Sequence, residues 1–148
     1  MIAIPIAYGD IFDKLTILEL KQERIPDAGA CARVGNELHL LCHKLDTDLP
    51  SWRVNIELEQ LLTDLRRING RLWNLENRVR KLLADGSQEL PAFNAAAGEI
   101  FGRNEQRAQT KRRINLLLES GLVEEKHHAA SAASALGLTM DIPDGEDA

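Results

Sequence analysis

The chain has 148 residues, of which 44% are hydrophobic, 28% charged and only 4% aromatic. That length suits one domain with a proper core rather than two, and a composition poor in strand formers argues against a mostly β protein. A net charge of −5 gives no global attraction to nucleic acid or anionic membrane, and no apolar run is long enough to span a bilayer.

Taken in chain order, Ile2 to Tyr8 is a short apolar stretch containing Pro5 and reads as an extended lead-in to a helix start at Gly9-Asp10. It lacks the basic lead and hydrophobic length of a signal peptide, so a cytoplasmic protein is expected. A first helix over about 10–24 carries Ile11, Leu15 and Leu18 on one face, continued by Ile25, and Ile17 with Leu20 on a second. Pro26-Asp27 breaks it. A second helix over about 28–45 is one-faced, with Cys31, Val34, Leu38, Leu41 and Leu45 spaced by three and four. Its two cysteines, Cys31 and Cys42, are separated by roughly 16 Å along the axis and cannot bridge each other. A loop over 46–51 follows, with Ser51 or a near neighbour as the next cap.

The third helix, about 54–84, has the cleanest pattern in the chain: Leu58, Leu61, Leu65, Ile68, Leu72, Leu75, Val79 and Leu82 form a heptad seam. A rod of about 45 Å needs a long partner, and the stretch from Pro91 to about Ser120 supplies one after the Asp85-Gly86-Ser87 turn. The expected fold is all-α: four helices built on a long antiparallel, coiled-coil-like hairpin, forming a single domain over 1–126. Residues 127–148, rich in alanine, serine and acid, read as a disordered tail. Surplus apolar length on the rod also predicts a homodimer.

Function is harder to read. On the fourth helix Phe93, Ala97, Ile100 and Leu118 define an apolar face, yet Asn104, Lys111 and Asn115 fall within it and Arg107 lies on its edge. Buried polar groups need partners. On the first helix Asp10, Lys14 and Lys21 lie along one stripe bordered by Asp13 and Arg24, with Glu19 elsewhere on that helix and Glu76 available on the third. Two readings stay open: an ion-pair and amide network that fixes helix register, or a pocket for a small anionic ligand. For the second, the binding set is Lys14, Lys21, Arg24, Asn104, Arg107, Lys111 and Asn115, with Asp13 and Glu19 as polar partners.

Charge is unevenly placed. Residues 1–65 carry −5, residues 66–113 carry +6 and residues 114–148 carry −6. The basic stretch has few aromatics for base stacking and acidic flanks, so nucleic acid is not the expected partner. His39, His43 and Asp46 share one helix face at ligand spacing, but an exposed polar surface explains them, and no metal or cofactor is expected. Asp10 and Asp13 form a DxxD pair with no Glu-x-x-Glu to complete a divalent-metal site. A carboxylate or N-cap role at the helix start suits them better.

The run GDIFDKLTILELKQERI (9–25) and the run NEQRAQTKRRIN (104–115) together resemble a family of small all-helical bacterial proteins defined as a domain of unknown function. The resemblance implies a helical protein met beside genes for cell-surface polysaccharide and glycosyl transfer, with no established activity or catalytic residue. It highlights Asp13, Lys14, Thr16, Glu19, Lys21, Arg24, Asn104, Arg107, Lys111 and Asn115. Family members usually carry Glu where this chain has Asp10, and the tail from about Ala129 lies outside the match. The expected function is a non-catalytic helical interaction or adaptor protein, partnered by itself, by another protein or by a small anion. The alternative is a small enzyme acting on an anionic metabolite, with Lys14, Arg24, Arg107 and Lys111 holding the anion and Asp13 or Glu19 as acid or base.

Overall fold

The computed structural model describes residues 1–87 and 89–135, with side chains through Glu119. The described residues are all-α: α1 (Tyr8–Arg24), α2 (Ala28–Asp48), α3 (Ile56–Ala84) and α4 (Pro91–Ala135), with a 3-10 turn at Trp52–Val54. No helix among the described residues is long and apolar enough to cross a membrane. The chain divides into two units, Met1–Asn115 and Leu116–Ala148. The first holds everything described below. In the second the backbone stays helical to Ala135, past the stop expected at Gly121. The alanines that deny this stretch an apolar face are also the strongest helix formers. The expected disordered tail thus falls partly on helical backbone, and its remainder, 136–148, lies outside the described residues.

α1 starts two residues earlier than expected and has no side-chain cap of its own, since its N-cap is Ala7. α2 is capped by Asp27, whose carboxylate accepts from the Ala30 amide at 2.6 Å. α3 is capped by Asn55, which accepts from the Leu58 amide at 3.0 Å, rather than by Ser51, which makes no cap bond. Gly86, with φ of 67°, turns the chain between α3 and α4.

α1 and α2 form an antiparallel hairpin. Cys31 Sγ donates to the Gln22 carbonyl at one end, and Lys14 pairs with Glu37 further along at 2.6 Å. α1 then packs on α3. Phe12, Leu15 and Leu18 of α1 are buried with Leu58, Leu61, Leu62, Leu65, Ile68, Leu72 and Leu75 of α3, so most of the predicted seam is spent within the chain. Trp52 closes one side of this core, its ring 5.6 Å from that of Phe12. Its indole N–H donates to Asp46 at 2.8 Å, and the Arg53 guanidinium lies over the ring at 4.3 Å. α4 returns beside α3, held by a two-bonded pair of Arg71 with Glu99, each bond 2.7 Å.

Among the described side chains of α4, the buried ones are Ala96, Thr110 and Ile114. This face is rotated from the one expected through Phe93 and Ala97, and it leaves Asn104 exposed.

Candidate functional site

Asp13 occupies the centre of the α1–α3–α4 junction and is only 5% exposed. A carboxylate that deep must be fully bonded, and it is. Arg107 of α4 grips it with two nitrogens, Nε at 2.9 Å and Nη2 at 2.5 Å, in the forked geometry that suits guanidinium and carboxylate. Asn69 of α3 adds a bond from Nδ2 at 3.0 Å and gives its other amide proton to Thr16 Oγ1 at 2.9 Å. The Thr16 hydroxyl in turn donates to the Asp13 carbonyl. Its bonds to Asp13 hold the Arg107 guanidinium charged above its usual range, against the opposing effect of burial.

Two further rungs follow at helical spacing on α4. Lys111 Nζ lies 2.6 Å from Asp10. Asn115 Oδ1 accepts from the Gly9 amide at 2.7 Å, which supplies from another helix the cap that Ala7 cannot give. Gly9 is required there because a Cβ would run into the carbonyl of Lys111. Neither Asp10 nor Asp13, offered as a carboxylate or N-cap at the helix start, is the cap; Asp10 sits in the first turn, where its charge is favourable. Arg107, Lys111 and Asn115 therefore form one ladder against Asp13, Asp10 and Gly9.

The rest of the predicted set disperses. Lys14 pairs with Glu37 on α2, Glu19 with Arg66 on α3, and Arg24 donates to the Asn74 side chain at 2.9 Å. Asn104 faces away. Lys14, Arg24, Arg107 and Lys111 thus do not converge as a joint anion-holding set, and each has an acceptor within the chain. Lys21 alone joins Arg107, along a small cleft with Glu76. Asn69 was missed by sequence reasoning, although an amide immediately after Ile68 in an otherwise apolar seam was a usable signal. Among the described residues no group of His, Cys, Asp and Glu gathers to hold a metal; Asp46 is committed to Trp52 and Arg53.

A second feature lies on the opposite side of α1. The lead-in, α1 and α2 enclose a groove of about 630 Å³, floored by Ile11, Leu41 and Leu45 and walled by Ile4, Ile6 and Tyr8. Ile2 is 90% exposed, Ile4 77% and Leu40 67%. On the groove's rim, Lys14 pairs with Glu37 and Lys44 with Asp48, so the rim is neutral.

Comparison of the chain with protein families, with curated proteins and with solved structures finds no match. At the α1–α3–α4 junction the run 9–25 supplies Asp10, Asp13 and Thr16, and the run 104–115 supplies Arg107, Lys111 and Asn115.

Proposed function

We propose that this chain is a non-catalytic helical interaction protein of the bacterial cytoplasm, which binds another polypeptide through the apolar face of the lead-in, α1 and α2. The observation that carries the reading is the contrast between the two sites. The pairs of Asp13 with Arg107, Asp10 with Lys111 and Gly9 with Asn115 hold α1 to α4, whereas the groove leaves large apolar side chains in water, a feature of surfaces that meet partners.

The occupant is a second copy of this chain. The backbone amides of Ile2, Ala3, Ile4 and Ile6 make no hydrogen bond among the described residues, so the lead-in has an open edge. Two such edges can pair antiparallel about a twofold axis and cover each other's isoleucines. The neutral rims bring no repulsion to that pairing. The setting implied by the family resemblance, surface-polysaccharide assembly or glycosyl transfer, belongs to the same proposal: a paired module of this kind would bring pathway enzymes together.

Sedimentation equilibrium on the full chain tests the reading. A dimer that becomes monomeric in the double variant Ile4→Asp, Leu40→Asp, with helicity and melting temperature retained, is the expected result. A wild-type chain that stays monomeric at millimolar concentration would overturn it.

A further inference from the structure

Beside the Asp13–Arg107 pair, α1, α3 and α4 leave a cleft of about 160 Å³. Its charged lining is Lys21, Glu76 and Arg107. The side chains of Lys21 and Glu76 have no hydrogen-bond or ion-pair partner among the described residues, although the charge of Glu76 acts on Arg107 through the cleft. Arg107 spends Nε and Nη2 on Asp13, which leaves Nη1. Asn69, also on the lining, donates both bonds from Nδ2 and keeps Oδ1 as a spare acceptor.

The charges decide the ligand class. Lys21 and Arg107 are balanced by Asp13 and Glu76, so the site has no cationic surplus, and a simple anion would meet a carboxylate for each cation. A molecule carrying both signs finds a complement for each end. Ile17, Leu20 and Leu72 supply an apolar wall for an aliphatic stem. We propose that this cleft binds a small zwitterion, an α-amino acid with an aliphatic side chain, its carboxylate on Lys21 and Arg107 and its ammonium on Glu76 and Asn69. The inference goes beyond the interaction reading and does not depend on it, since the cleft and the lead-in groove share no lining residue.

Trp73 lines the cleft, whereas the other tryptophan, Trp52, has its indole N–H tied to Asp46. The two indole signals of the ¹⁵N-labelled full chain, assigned with Trp73→Phe, therefore give a probe and an internal reference. Titration uses L-leucine, 4-methylpentanoate, which lacks the ammonium, and 3-methylbutylamine, which lacks the carboxylate. Leucine is expected to move the Trp73 signal saturably and leave that of Trp52 in place, with each half-ligand weaker by about tenfold or more. Glu76→Gln should weaken leucine and spare 4-methylpentanoate. Lys21→Met should weaken both. Absence of a saturable shift with leucine overturns the proposal, and so does 4-methylpentanoate binding as tightly as leucine, which would make the cleft a plain anion site.

Discussion

Asp13 and Arg107 share one ion pair but not one environment: the aspartate side chain is 7% exposed and that of the arginine 30%. Breaking such a pair costs most when the charge left behind cannot reach water. Arg107→Ala strands the buried carboxylate on Asn69 alone and should lose about 3 kcal/mol, while Asp13→Ala leaves a guanidinium that can turn to solvent and should lose about 1 kcal/mol less. Urea unfolding of the two variants checks the order, and equal losses would contradict it. The neighbouring Lys111–Asp10 rung is more open, so Lys111→Met should change stability by less than about 1 kcal/mol. Gly9 illustrates the same dependence on surroundings. Alanine is the better helix former by about 1 kcal/mol, yet Gly9→Ala should destabilise, because its Cβ would press on the Lys111 backbone and push α4 from α1.

At the scale of the element, α4 supplies the converse case. Gly98 and Gly102 lie within it, and a Cβ at either position meets nothing within 4 Å. Gly98→Ala and Gly102→Ala should each stabilise the chain by about 1 kcal/mol through helix propensity alone, seen as a higher urea midpoint at unchanged slope. The same helix shows where the sequence was readable and where it was not. α3 was legible because leucine and isoleucine repeat at heptad spacing, and Leu58 through Leu75 are buried as the pattern requires. Among the described side chains of α4 the buried ones are Ala96, Thr110 and Ile114; only Ile114 is large and apolar, and one such residue beside an alanine and a threonine does not define a face by periodicity. The face was therefore placed with the wrong rotation. Asn104 went to the wrong side, while Arg107, Lys111 and Asn115 kept their mutual spacing because four-residue steps survive a rotation. Tertiary pairing was less legible still. Lys14 adjoins Asp13 and Glu19 lies on another face of the same helix, but the neighbours that claim them, Glu37 and Arg66, become visible only once α2 and α3 are in place.

Across the whole molecule, the acidic limit of stability depends on carboxylates that join elements. Bonds from Arg53 and Trp52 hold the Asp46 carboxyl below its ordinary value, tying the end of α2 to the turn before α3. Bonds from Arg71, then from Arg103, do the same for Glu99 between α3 and α4. A carboxyl whose folded pKa is depressed stabilises the fold above its unfolded value, about 4, and that contribution fades as pH falls through the folded value. Asp46 is exposed and Glu99 half-buried, so each contribution is small, but they fail in the same window. Protonation there also uncovers a concentration of charge, since 11 of the chain's 18 Lys and Arg residues lie in 66–113, opposed by Glu76, Asp85, Glu89, Glu99 and Glu105. Self-repulsion of that stretch should make α3–α4 the first part to loosen in acid. Unfolding midpoints in urea should accordingly be flat from about pH 8 to 5 and fall below about pH 4. Glu99→Gln and Asp46→Asn should each lower the midpoint at neutral pH and flatten the fall. Added salt should recover part of the loss at low pH by screening the uncovered cations. Hydrogen exchange at about pH 3.5 would locate the loosening, and protection lost first in α1 and α2 would refute this charge-based account.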